Sequence, residues 1–599
     1  GEGRVGGVAG GGVAWSVRGA VGGGGRAAHG GMMAVALANG LLDGRMRRYF
    51  HREPVIRASE ILLQETRHRE ASVALPRPDQ KAARVEDGRL ACEERIHWPH
   101  LRQPSTQLLS NGRYAVMMTA AGSGYSQWRD VGVTRWREDP TCDDRGTFIY
   151  LRDIRDGRVW SAGFQPTGRE PSRYDVAFNE DRVRIVRQDG AIETTLEVIV
   201  SAEDDAEMRR LTLHNRGTRA SEIEVTSYAE ITLAAPASDA AHPAFSNLFI
   251  RSEFVPQVAG LVFARRPRAT GDGTLYAAHV VAGDRAAGLE FETDRARFIG
   301  RGRTVHAPIA ISEARPLTNS AGAVLDPIAS LRVRVRIPAG ETAHVAFATM
   351  VAETREEILS LADKYHDPAA FERASSLAWT HAQVQLHYLG IDHGEAHLYQ
   401  QLANTLLYHE AALRPSQRTL QSNSLPISGL WRLGISGDRP IIVARIEDVD
   451  DRGLLRQLLT AHEYWNLKGL AVDLVLLNDQ AVTYAPGVQE HLQTLVRDAQ
   501  SRASHDRGES RGQVFVVRGD GLAPGERVLL HTAARAVVAS TQGRLVEQLL
   551  RVRPPATAVR EQPTAMPQPA GRTLHAAPSR FFNGPAVPPA APPATPCAP

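Results

Sequence analysis

Apolar and polar residues alternate with a period of two along a series of short runs between about Leu108 and Val351. The clearest are Phe148 to Ile154, Arg182 to Arg187, Thr194 to Val200, Met208 to His214, Glu222 to Tyr228 and Leu331 to Ile337. Period two sends successive side chains to opposite faces of an extended chain, so each run predicts a strand with one face buried. Turn residues separate the runs: Asp156-Gly157, Asp189-Gly190, Asn215-Arg216-Gly217 and Pro338-Ala339-Gly340. Many strands with no helix between them predict antiparallel sheets stacked as one large β-sandwich over residues 106–352.

The pattern differs on either side. From Met32 to Leu63 it is helical, with Val35, Leu37, Leu41, Leu42 and Met46 on one stripe and Pro54 opening a second short helix at Val55 to Gln64. Residues 66–105 are polar and aperiodic and read as a linker. Helical spacing returns at Arg355 and runs with breaks to Ala412, so residues 353–425 are expected as a helical linker. Strands Ile441 to Ile446, Ala471 to Leu477 and Gln513 to Val517 then alternate with helices Gly453 to Asn466, Val488 to Ser501 and Pro524 to Ser540. That alternation predicts a small α/β unit with a parallel sheet over residues 426–550. The Gly-rich residues 1–31 and the Pro/Ala-rich residues 551–599 are expected to be disordered. The fold class is therefore multidomain and mainly β, a large antiparallel sandwich followed by a helical linker and a small α/β unit.

Composition narrows the function. The 70 basic and 67 acidic side chains nearly cancel and are interspersed, so nothing calls for a nucleic-acid or anionic-membrane partner. The three cysteines, Cys92, Cys142 and Cys597, are far apart, which argues against a disulfide framework and a cysteine zinc site. No run reaches the eighteen or so apolar residues of a membrane-spanning helix, so the chain as given is expected to be soluble.

The richest cluster of aromatic, glycine and charged residues runs from Ser110-Asn-Gly-Arg-Tyr114 through Ala121-Gly-Ser-Gly-Tyr125-Ser-Gln-Trp128-Arg-Asp130 to Thr134-Arg-Trp136-Arg-Glu-Asp139. Aromatic faces cover the C–H face of a pyranose while charged groups take its hydroxyls. Tyr125, Trp128, Trp136, Arg137 and Glu138 are the candidate carbohydrate-binding residues; the competing reading is that both tryptophans fill the sandwich. Glu138, Asp139, Asp143 and Asp144 could supply paired carboxylates, but their spacing along a loop does not fix their separation in space, and a solvated, turn-rich loop is the favoured explanation. His393 and His397 share a helix face, but no H-E-x-x-H accompanies them, and neither metal nor cofactor is expected. Gly434-Ile-Ser-Gly-Asp438 leads into a strand rather than a helix and is a turn, not a phosphate loop.

Read together, Leu109-Ser-Asn-Gly-Arg-Tyr114, Ala121-Gly-Ser-Gly-Tyr125, Trp128-Arg-Asp130, Thr134-Arg-Trp136-Arg-Glu-Asp139, Tyr150-Leu-Arg-Asp153, Val159-Trp-Ser-Ala-Gly163, Ser227-Tyr-Ala-Glu230 and His242-Pro-Ala-Phe245 resemble the first phosphorylase-like sandwich of the cyclic β-1,2-glucan synthases. That module is grouped with glycosyltransferase family 36, now glycoside hydrolase family 94. Leu430-Trp431 to Ile446 and His462-Glu-Tyr-Trp465 to Asn478 resemble the segment that follows it, and Met32 to Phe50 resembles the last helices of the upstream (α/α)6 transglycosylase. Phe581-Phe-Asn-Gly584 resembles the entry to a second sandwich, after which Pro585-Ala-Val-Pro-Pro departs from the family.

The resemblance implies a parent at the bacterial inner membrane that makes cyclic β-1,2-glucan by glucosyl transfer, with this chain soluble and cytoplasmic. No complete catalytic domain is recognisable here, so the expected role is a non-catalytic, carbohydrate-binding and scaffolding portion, its partners β-1,2-glucan and the parent's remaining domains. An active phosphorylase or transglycosylase of the family 94 type is the alternative. A degenerate pseudogene product is a third.

Overall fold

The computed structural model describes residues 34–50, 52, 94–97, 103–267, 273–283, 286–446, 452–479, 494, 496–497 and 512–552. Residues 1–88 and 89–599 are two compact units. In the first, the helix Arg45–Phe50 lies in the region expected to be helical, and Leu37, Leu41 and Leu42 of the predicted stripe are exposed. The Gly-rich start, the helix expected at Val55 to Gln64 and the tail beyond residue 552 lie outside the described residues, as does most of the helix expected at Val488 to Ser501.

The second unit is dominated by two antiparallel sheets. One has ten strands, in the order Glu94–Ile96, Arg173–Phe178, Arg182–Asp189, Ile192–Val200, Ala206–Asn215, Thr342–Ala352, Leu275–Gly283, Gly260–Arg265, Ile250–Val255 and Gly322–Ala323. The other has nine. Its spine is the 14-residue strand Ser221–Ala234, which pairs with Pro327–Ile337 on one side and with Phe148–Asp153 and then Val131–Thr134 on the other. Gly124–Trp128, Tyr114–Thr119 and Thr106–Ser110 continue it outward.

Each run with two-residue alternation is a strand: Phe148–Asp153 ends one residue early, the others run further, and the longest extension, to Ala234 in Ser221–Ala234, lies where successive residues are all buried and the alternation is hidden. Gly190, at φ +62°, supplies the left-handed conformation of the two-residue turn that sets Asp189 opposite Ile192. Leu109, Val116, Ile185, Leu211, Leu331 and Phe347 are among the residues packed between the sheets. Polar contacts cross this apolar layer, among them Ser126 Oγ donating to Glu207 Oε2 at 2.8 Å and Ser227 Oγ meeting His279 Nε2 at 2.9 Å.

Two expected linkers are structural. Glu94–Ile96, within the stretch expected to be a linker, adds an edge strand to the ten-stranded sheet. The helices Arg355–His366 and Ala370–Leu389 pack on the outer face of that sheet, where Ile358, Ala362, Tyr365 and Phe371 bury Met208, Val280, Ala348 and Met350. The third helix, His393–Leu407, closes the open edge at Thr106–Ser110. Gln400 accepts from the Leu108 amide at 3.1 Å and donates to its carbonyl at 3.0 Å, satisfying backbone that an edge strand leaves unpaired.

The α/β unit has four parallel strands in the order Val514–Arg518, Asp473–Asn478, Ile441–Ile446, Ala536–Ala539. The helix expected over Pro524 to Ser540 is corrected here: it spans Pro524–Ala533, and Ala536–Ala539 is the fourth strand. Alanine favours helix, but the Arg535 amide donates to the Ile441 carbonyl at 2.7 Å and Val538 enters the core. Leu108 and Met117 of the sandwich share one core with Leu402, Leu458, Trp465 and Leu474, so sandwich, helices and α/β unit are fused through apolar contact.

Candidate carbohydrate-binding surface

The strand Gly124–Trp128 sends Tyr125 and Trp128 to opposite faces. Trp128 enters the sandwich core, 6% exposed, with Nε1 donating to Asp205 Oδ2 at 2.6 Å and the Arg129 guanidinium 4.3 Å from its ring centroid. Tyr125 faces the helical layer and meets Trp136 edge-on at 5.4 Å; Trp136 in turn meets Tyr408 at 6.0 Å. Both pack against the core shared with the α/β unit. Trp128 is thus buried, Tyr125 and Trp136 are partly covered by protein, and of the five candidates only Arg137 is exposed.

The acidic residues beside them are equally engaged. Glu138 accepts from the His409 amide at 3.1 Å and pairs with Arg535 at 2.8 Å, tying the sandwich to the α/β unit. Asp139 accepts from the Thr141 hydroxyl and from the Thr141 and Cys142 amides, which hold its carboxyl below the ordinary range. Asp143 accepts from Tyr408 Oη at 3.0 Å and Thr119 Oγ1 at 3.1 Å, and burial pushes its carboxyl up to about 6. His393 contacts Gln383 and His397 contacts Gln401; among the described residues no three potential metal ligands converge.

A different constellation assembles around Glu230, from segments far apart in the chain. Glu230 is 5% exposed and receives Arg295 Nε at 2.8 Å, Arg135 Nη1 at 2.9 Å, Arg145 Nη1 at 3.3 Å and Tyr228 Oη at 2.9 Å. Arg135 also grips Asp239 with two bonds of 2.9 and 3.0 Å, Asn247 at 2.9 Å and Asp326 at 3.3 Å. Burial alone would raise Glu230, but Arg295, Arg145 and Arg135 more than offset it and hold the carboxyl below its ordinary range. Asp326 at the rim moves the other way, raised by burial and by the charge of Glu230.

The same two segments that deliver Asn247 and Asp326 carry exposed apolar groups. Phe245 and Leu248 flank Asn247 and are 50% and 49% exposed, while Leu325 precedes Asp326 and is 78% exposed. Asn247 Nδ2 donates to Asp326 Oδ1 at 3.1 Å, which holds the two segments together. Phe245 leans edge-on against Phe249 at 5.3 Å. Arg145, Arg295 and Asp326 are each about one-third exposed at the rim. An accessible aromatic on a segment bonded to a cluster with part-exposed guanidinium and carboxylate groups offers the side-chain types a pyranose needs.

Residues 93–368 match the supersandwich domain of glycosyl hydrolase 94. The sandwich belongs to that family. Over 529 residues, 87% of its length, the chain is 39% identical to the cyclic beta-(1,2)-glucan synthase NdvB of Rhizobium meliloti (strain 1021), of which it spans 18%. It is 23% identical over 47% of its length to the N,N'-diacetylchitobiose phosphorylase of Vibrio proteolyticus, spanning 35% of that protein. With the solabiose phosphorylase of Paenibacillus borealis it shares 26% identity over 38% of its length, spanning 28%. The chain thus carries a supersandwich of the family 94 type and spans only part of the length of these relatives.

Within this supersandwich, Arg135 and Glu230 lie in motifs that carry the resemblance, and Phe245 lies in a third. Linear sequence did not reveal that they meet, because Arg135, Arg145, Glu230, Asp239, Asn247, Arg295 and Asp326 come together only when the sheets form. The one available signal was the apolar run Ala234-Ala-Pro-Ala-Ser-Asp-Ala-Ala-His-Pro-Ala-Phe245, which lacks strand periodicity and yet holds a single acid, Asp239, that turns inward.

Proposed function

We propose that this chain is the non-catalytic, glucan-holding portion of a cyclic β-1,2-glucan synthase, and that the glucan is held at the rim of the Glu230 cluster. Phe245 carries the reading: its ring is half exposed, two residues before Asn247, which is bonded to Asp326 and Arg135 of the cluster, and it would cover a sugar ring whose hydroxyls reach the part-exposed Arg145, Arg295 and Asp326. A holding role also fits the chemistry of the carboxylates. Glu230 is kept ionised by three guanidiniums, Glu138 pairs with Arg535, and Asp143, although raised, is buried in the seam against Tyr408, so none of these three faces an open cleft as a free acid.

The parent's remaining domains are the proposed partners, and its place is the bacterial inner membrane. Among the described residues no helix is long and apolar enough to cross a membrane, so the parent's other segments would supply the anchor. Calorimetry of the chain with linear β-1,2-glucan tests the reading. Binding that Phe245→Ala weakens by about tenfold, without phosphorolysis when phosphate is added, is the expected result. Turnover that a carboxylate substitution in this chain abolishes would establish the alternative, an active family 94 phosphorylase.

A further inference from the structure

The outer face of the ten-stranded sheet carries a second feature. Along its central strands the outward positions bear long polar side chains, including Glu193, Glu197, Arg210 and His214. Where Leu275–Gly283 meets Thr342–Ala352 they shrink. Ala282 lies opposite Ala346, with Gly283 next to them, and the turn between the helices Arg355–His366 and Ala370–Leu389 overhangs the spot with Pro368. The result is a hollow of about 170 Å³, floored by Ala282, Gly283 and Ala346 and walled by Arg210, His344 and Glu372.

Its walls are ordered and keep hydrogen-bonding capacity. Arg210 lies 3.9 Å from the Phe371 ring centroid and pairs with Glu197 at 2.6 Å and with Glu372. Those pairs use one Nη1, one Nη2 and the Nε hydrogen, leaving two N–H donors. His344 Nδ1 is held by Thr212 Oγ1 at 3.1 Å, which fixes the ring, and Nε2 has no hydrogen-bond partner among the described residues. The Glu372 side chain is 73% exposed. A small apolar floor under a cation, an imidazole and a carboxylate suits a neutral ring with an apolar face and hydroxyls around its edge.

We infer that this hollow is a second carbohydrate subsite, taking one hexose unit of a β-linked glucan, with the C–H face of the sugar on Ala282 and Ala346 and its hydroxyls on Arg210, His344 and Glu372. The inference rests on the carbohydrate reading above, but concerns a separate surface. Two separated subsites would let one sandwich hold a glucan at two points and raise the effective concentration of the chain at each.

The test is calorimetry and saturation-transfer NMR on the full chain, with sophorose, the β-1,2-linked glucose disaccharide, as probe. The wild type should bind two equivalents. Ala346→Leu, which fills the hollow, should remove one equivalent, and His344→Ala and Glu372→Gln should each weaken that equivalent about tenfold while the melting temperature holds. Phe245→Ala should remove the other. If Ala346→Leu and His344→Ala leave stoichiometry and affinity unchanged, or if Phe245→Ala alone abolishes all binding, the second subsite is wrong and the proposed function survives. If the wild type binds no sophorose and no longer β-1,2-glucan, both are wrong.

Discussion

Tyr408 Oη donates to Asp143 Oδ1 at 3.0 Å across the seam where the sandwich meets the helical layer. Asp143 also accepts from Thr119 and lies near Ser123 and the like charge of Asp144, and burial is the largest influence on its carboxyl. The seam is therefore built around a carboxylate that the fold would rather keep protonated.

The consequence is a pH dependence with a definite sign. A carboxyl raised from 3.8 to about 6 contributes stability that is fully present below the unfolded value and lost as the pH rises through about 6. Asp143→Asn should thus be more stable than the wild type at pH 8, by up to roughly 3 kcal/mol and with a higher melting temperature, and the difference should vanish near pH 4. Equal melting profiles at both pH values would show that Asp143 is not buried as described.

His279 predicts the opposite slope. Its ring is buried between Ser227, at 2.9 Å from Nε2, and Thr349, at 2.9 Å from Nδ1, and it stacks on Phe347; burial lowers its pKa to about 3. A histidine kept neutral contributes stability present above pH 6.5 and lost progressively as the pH falls toward 3. His279→Leu should flatten acid unfolding below pH 6. At pH 8 it should cost roughly 1–3 kcal/mol, because the hydroxyls of Thr349 and Ser227 lose a partner.

Removing the centre of the arginine cluster should be severe. Glu230→Gln leaves Arg135, Arg145 and Arg295 around a neutral amide in a largely buried site, where breaking one partner of an ion network costs roughly 3–5 kcal/mol. Chemical denaturation should show a lower midpoint. Glu203→Gln breaks an exposed pair with Arg373 and Lys364 and should move the midpoint by no more than about 1 kcal/mol.

How much of this was readable in the chain follows from where the information resides. Strand periodicity is local, so the runs Arg182 to Arg187 and Thr194 to Val200 were visible, with the turn at Asp189-Gly190, inside the strands Arg182–Asp189 and Ile192–Val200. Ala536–Ala539 was not: four small apolar residues after a helix continue that helix by propensity, and only pairing with Ile441–Ile446 makes them a strand. The candidate site suffered the same limit more acutely. Tyr125 and Trp136 were recognisable as special, but whether an aromatic faces solvent or a neighbouring layer depends on Tyr408, more than 270 residues on from Trp136. The Glu230 cluster draws its members from across nearly two hundred residues, and no spacing rule gathers them.

Trp128 and Phe245 separate packing from binding most directly. Trp128 is 6% exposed, donates to Asp205 and lies in the sandwich core, so Trp128→Ala opens a large void and leaves Asp205 with Arg113 alone; it should cost roughly 3–5 kcal/mol. At a temperature where the variant remains folded, its affinity for β-1,2-glucan should equal the wild type's, because no face of the indole reaches a ligand. Phe245 is half exposed and leans edge-on against Phe249, so Phe245→Ala should shift the melting temperature little and weaken glucan binding about tenfold. Differential scanning calorimetry and isothermal titration on the two variants read both quantities. If Trp128→Ala binds glucan more weakly while melting normally, the indole is the platform after all, and the glucan lies on the strand Gly124–Trp128 rather than at the Glu230 rim.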